Sequence, residues 1–101
     1  MGAMKSSIMQ KRLELFPVAT RIAGSGDSAR LTLSGCEVAD LVQQYGTPLY
    51  LYDRATLDAA GTQDRQALAA VYHASSGITY AGKAFLCTAI AQWAQQQDLL
   101  V

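Results

Sequence analysis

Ile78-Thr79-Tyr80-Ala81-Gly82-Lys83-Ala84-Phe85-Leu86-Cys87 is the stretch on which the fold turns. Ile78 to Ala81 reads as a short buried strand that Gly82 stops. From Ala84 to Gln97 the pattern is helical: Leu86, Ile90, Trp93 and Ala94 share one face, and Gln95-Gln96-Gln97 gives a polar end. Burying Leu86, Ile90 and Trp93 would contribute roughly 1.5–3 kcal/mol each before the cost of ordering them. A strand that passes through a glycine turn into an apolar helix is a building unit of parallel sheets. Lys83 sits at the joint. Its spacing alone leaves two readings open. It is either a surface lysine snorkelling out of the loop, or a desolvated amine placed to attack a carbonyl, as in Schiff-base chemistry.

Working outward, Leu99-Leu100-Val101 reads as the beginning of another strand. Upstream lies a helix over Ala55 to Ala74, capped by Asp53 and ended by Ser75-Ser76-Gly77, with Gly61 a candidate break because glycine costs about 1 kcal/mol there. Leu49-Tyr50-Leu51-Tyr52 suits a strand. Before it, Val38, Leu41, Val42 and Tyr45 form an apolar helical stripe within residues 36–45. Ser34 and Glu37 fit a capping box for that helix, and Gly46 and Pro48 end it. Leu15 to Ile22 and Arg30 to Leu33 read as two strands around the turn formers Ala23-Gly24-Ser25-Gly26-Asp27-Ser28, hence a hairpin. The order is hairpin, helix, strand, helix, strand, helix, incipient strand, an α/β arrangement. Two full strands and a stub leave a parallel sheet without neighbours on its edges, as the beginning of something larger would.

Composition narrows the class. The chain has 101 residues, 50% of them hydrophobic and 16% charged, which is globular rather than disordered. Eight basic residues balance eight acidic ones, so no basic excess points to nucleic acid. No apolar run approaches the roughly 18 residues of a membrane span. Cys36 and Cys87, 51 positions apart in the sequence and without zinc-type spacing, suggest small buried thiols in a reduced, cytoplasmic protein, with no metal site. Residues 1–14 are expected to be a disordered or tag-like start. His73 reads as a surface or boundary histidine and Trp93 as helix core. Tyr45, Tyr50, Tyr52, Tyr72 and Tyr80 are expected mainly to pack.

Tyr80-Ala81-Gly82-Lys83-Ala84-Phe85-Leu86-Cys87 resembles the cofactor-lysine motif of diaminopimelate decarboxylases. Upstream blocks agree in order and spacing: Leu15-Phe16-Pro17-Val18, Cys36-Glu37-Val38-Ala39-Asp40-Leu41, and Tyr45-Gly46-Thr47-Pro48-Leu49-Tyr50-Leu51-Tyr52-Asp53. Tyr-Ala-x-Lys alone is shared with ornithine and arginine decarboxylases and alanine racemases, so a related amino-acid decarboxylase is the neighbouring reading. The resemblance implies an alanine-racemase-like enzyme that uses pyridoxal phosphate, a TIM barrel joined to a β-sandwich domain. Residues 15–35 would be a hairpin belonging to the sandwich, and 36–101 the start of the cofactor-binding barrel. Lys83 would hold the cofactor covalently, with Ala81 beneath its ring. Cys87 stands where racemases carry a phosphate-binding tyrosine, which disfavours a racemase.

The implied reaction converts meso-diaminopimelate to L-lysine and carbon dioxide, in lysine biosynthesis. A barrel takes about 250 residues, so this chain would be an N-terminal portion. It is expected to be inactive alone and to form homo-oligomers or pair with the remainder. Neither Cys36 nor Cys87 matches the family's partner-subunit cysteine. The alternative is a stand-alone interaction or self-association module derived from that family, with no catalysis.

Overall fold

The computed structural model describes residues 10–101, so most of the expected disordered or tag-like start lies outside the described residues. The described residues divide into two compact units, one ending at Ala59 and the other spanning Ala60–Val101.

In the first unit, residues 10–13 are helical and lead to a three-stranded antiparallel sheet, ordered β1 (Thr20–Ala23), β2 (Arg30–Leu33), β3 (Cys36–Glu37). β1 and β2 pair from Thr20 opposite Leu33 to Ala23 opposite Arg30. A 3-10 turn, Gly26–Ser28, carries the chain between them, braced by the Ser28 hydroxyl donating to the Ser25 carbonyl at 2.7 Å. Gly24 enters this turn at a φ of +78, and a Cβ there would lie 2.6 Å from the Ser28 carbonyl oxygen.

The expected helix over 36–45 begins two residues later, at Val38, the first residue of its apolar stripe. Ser34 and Gly35 take φ values of 49 and 82, the left-handed pair of a two-residue hairpin whose twist suits flanking strands. Cys36 therefore returns opposite Leu33 as part of β3, and α1 runs over Val38–Tyr45. Ser34 is thus a turn residue and caps no helix. Gly46, at a φ of 78, ends α1 and donates its N–H to the Val42 carbonyl at 2.7 Å.

Leu49–Tyr52 is irregular backbone outside the sheet, so strand-forming residue types there produce no strand. Sheet propensity acts through neighbouring strands, and the sheet of this unit is completed by β3. α2 follows over Arg54–Val71 and passes through Gly61 without a break. Its neighbours Leu57, Ala59, Ala60, Gln63 and Ala67 are strong helix formers, and their summed preference outweighs one glycine.

In the second unit, the segment expected as a strand makes a single parallel bridge between Thr79 and Leu100. Tyr80 N–H donates to the Leu100 carbonyl at 2.7 Å, and Leu100 N–H to the Ile78 carbonyl at 2.9 Å. Sheet structure among the described residues is therefore mainly antiparallel, with this one parallel contact where the alternating pattern predicts parallel strands. α3 spans Thr88–Gln96 and buries Ile90, Trp93 and Ala94. Leu86 precedes the helix and is half exposed, so it does not join that core. Both cysteines are free and exposed, not buried. Tyr45, Tyr50, Tyr52 and Tyr72 are exposed as well, and only Tyr80 of the five packs as expected.

Candidate functional site: the Lys83 turn

Asp53 is a buried carboxylate with several hydrogen-bond donors around it. Its carboxylate accepts the Ser34 hydroxyl at 2.5 Å, the Thr56 hydroxyl at 2.6 Å and the Thr56 N–H at 3.2 Å. The last of these is the helix cap the sequence predicts. Thr56 Oγ1 in turn accepts the Val18 N–H at 2.9 Å, so one buried carboxylate ties the hairpin turn, the entry to β1 and the start of α2. The Ser34 and Thr56 hydrogen bonds hold its pKa below the ordinary carboxylate value, against a smaller opposing effect of burial. Every acceptor contact is spent on structure, so this cluster is a latch.

The second unit holds Lys83. Ala84 N–H donates to the Ala81 carbonyl at 3.1 Å, making Gly82 and Lys83 the central pair of a four-residue turn. Ala81 and Lys83 are both exposed on it, which removes desolvation of the amine from the sequence argument. The turn is followed by irregular residues 85–87 rather than by the first turn of a helix.

Tyr80 explains that delay. Its hydroxyl donates to the Phe85 carbonyl at 2.5 Å, and its ring meets Trp93 edge-on, with centroids 6.2 Å apart and planes at 81°. The Phe85 oxygen, which a helix would direct to an N–H one turn ahead, faces the tyrosine instead. α3 starts at Thr88, with Cys87 extended before it and accepting the Ala91 N–H at 2.9 Å. Sequence reading treats Tyr80 as one packing aromatic among five. The signal available was its place five residues before Phe85, across a glycine turn.

A groove of about 560 Å³ also lies in this unit, lined by Arg65, Tyr72, His73, Ile78 and Asp98 among others. His73 lines it and is exposed, a surface residue. Neither Ala81 nor Lys83 lines it, nor do they line the apolar hollow of about 230 Å³ beside β2 in the first unit.

The chain is 41% identical over 85 residues to a protein named diaminopimelate decarboxylase from Synechocystis, covering 84% of this chain and 18% of that protein. The chain is related to the diaminopimelate decarboxylases. A protein of the same name from Halalkalibacterium halodurans is 33% identical over 84 residues, covering 83% of this chain and 18% of its own. Another from Mycobacterium leprae is 37% identical over 67 residues, or 66% of this chain and 13% of that protein. The chain therefore spans less than a fifth of the length of these decarboxylase relatives. No family model and no solved structure matches it.

Proposed function

We propose that this chain is the N-terminal, cofactor-lysine portion of a pyridoxal-phosphate-dependent diaminopimelate decarboxylase. The observation that carries the reading is the 41% identity over 84% of the chain, which is of the same order as the reach of the quoted motifs, about Leu15 to Val101. The residues present fit the covalent half of cofactor binding. Lys83 offers a primary amine on an exposed turn, and Ala81, Gly82 and Ala84 beside it are small enough to admit a flat ring. Lys83 would hold the cofactor covalently through Nζ, and Ala81 would be the small neighbour that leaves room for its ring.

When bound, pyridoxal phosphate supplies a conjugated system that accepts the electron pair of the breaking carbon–carboxylate bond. Lys83 would be the residue whose Nζ returns a proton to the carbon that has lost carbon dioxide. The products are L-lysine and carbon dioxide. Cofactor phosphate, pyridine nitrogen and distal substrate carboxylate call for residues from the more than four-fifths of the relatives' length that this chain does not match. Activity therefore needs that remainder, and so does the assembled oligomer in which we place it. A cytoplasmic location accords with this chemistry. No helix among the described residues is long and apolar enough to cross a membrane. Relatives that share one enzymatic name favour this reading over a non-catalytic module.

Incubation with pyridoxal phosphate, borohydride reduction and peptide mapping test it. Hydride added to the condensed carbon leaves a stable secondary amine. The adduct is expected at Lys83 well above Lys5 and Lys11, and even labelling of the three lysines would overturn the reading. Carbon dioxide release from meso-diaminopimelate is expected from protein spanning the relatives' full length, and not from residues 1–101 alone.

A further inference from the structure

We propose that Tyr80 is a positioning residue for Lys83, a clasp that holds the Gly82–Lys83 turn in one shape. Its importance for chemistry rests on the reading that Lys83 carries the cofactor. The turn is tied upstream, where Ile78 and Tyr80 hydrogen-bond to Leu100. Downstream it opens into irregular residues 85–87, where Phe85 and Leu86 are exposed. The turn's own backbone bond runs from the Ala84 N–H to the Ala81 carbonyl, on exposed backbone where water competes for both groups.

The Tyr80 hydroxyl closes the open side by reaching the Phe85 carbonyl. The ring that carries it is itself fixed, because it stands edge-on against Trp93, which is buried in α3. Packing thus runs from the helix core through the tyrosine ring, and a directional hydrogen bond runs from the ring to the far end of the turn. Lys83 lies inside that closed loop.

Tyr80→Phe keeps the ring and removes the clasp. Amide exchange of residues 82–85 is expected to quicken about 2- to 10-fold, the loss of one hydrogen bond worth 0.5–1.5 kcal/mol. Exchange in α3 should be unchanged. In the same variant, borohydride-trapped pyridoxyl adduct at Lys83, taken relative to Lys5 and Lys11, is expected to fall by a similar factor. A purely structural tyrosine would leave that ratio alone. Wild-type selectivity for Lys83 retained in full by Tyr80→Phe overturns the positioning role. If wild-type protein labels all three lysines alike, the cofactor reading fails and the exchange arm decides the clasp. Faster exchange at 82–85 then upholds it, and unchanged exchange overturns it.

Discussion

Asp53 and Lys83 are a pair of opposites at the scale of single residues. Asp53 is buried and has its carboxylate committed to three donors, whereas Lys83 is exposed with its amine on an open turn. Replacing Asp53 with Ala removes a helix cap and leaves Thr56 N–H and two hydroxyls without their acceptor. A loss of about 1–2 kcal/mol is expected, measured as a lower midpoint in urea. The pH dependence follows from the depressed pKa. The folded carboxyl binds its proton less readily than the unfolded one. Its contribution is therefore complete above the unfolded value of about 3.9 and is lost as pH falls through the folded value. The urea midpoint of wild type should drop below about pH 4 more steeply than that of Asp53→Asn, which lacks the titrating group. Of these two residues the cap role of Asp53 is readable from its place before a helix. Its bond to Ser34, nineteen positions earlier in the chain, is not, because nothing local records which hydroxyl the fold brings near.

At the scale of elements, the sequence speaks clearly where the period and the stop signal agree. Val38, Leu41, Val42 and Tyr45 precede Gly46, and a helix ends there. Arg30 to Leu33 alternates and pairs with β1. It misleads where hydrogen bonds from distant or unanticipated groups intervene. Ser34-Gly35 resembles a helix start and is a hairpin turn, while Ala84 to Cys87 continues an apolar stripe that Tyr80 and the Lys83 turn keep out of α3. The motif singles out Lys83, but its exposure is not legible there, since spacing does not say which side of a loop meets water. Two glycines test the same physics in opposite directions. Gly24→Ala forces a Cβ against the Ser28 carbonyl at a φ of +78, so a loss of about 1–3 kcal/mol is expected by thermal unfolding. Gly61→Ala puts a methyl where, apart from its chain neighbours and the helix's own backbone, nothing lies within 4 Å, and it removes glycine's entropy cost from mid-helix. It should raise stability by up to about 1 kcal/mol, and a variant less stable than wild type would show that the position is closely packed after all.

For the whole molecule the informative quantity is apolar surface left uncovered. Half the residues are hydrophobic, yet the buried apolar side chains among those described are Ile90, Trp93 and Ala94. Leu15, Tyr50 and Val71 are each at least 80% exposed, and Phe16, Val18, Phe85 and Leu86 are substantially so. A scatter of single exposed apolar residues is ordinary, but this many large ones beside so few buried is not. The backbone adds to it, because Ile78 to Tyr80 is paired through one parallel bridge and offers further strand-edge groups. On the proposed reading both features would meet the remainder of the protein; in residues 1–101 alone, the same surfaces favour contact between copies of the chain. Sedimentation velocity over a hundredfold range of concentration is expected to show mass rising with concentration. Binding of a hydrophobic dye should fall in step as surfaces are covered. Tyr50→Lys together with Val71→Lys, both at exposed positions that bury little within the chain, should shift the association to higher concentration by about tenfold or more, since each removes a large apolar side chain worth roughly 1.5–3 kcal/mol when buried. A strictly monomeric wild type, with dye binding independent of concentration, would mean that these faces do not meet one another. The reading of the chain as an incomplete structural unit would then lose its physical support.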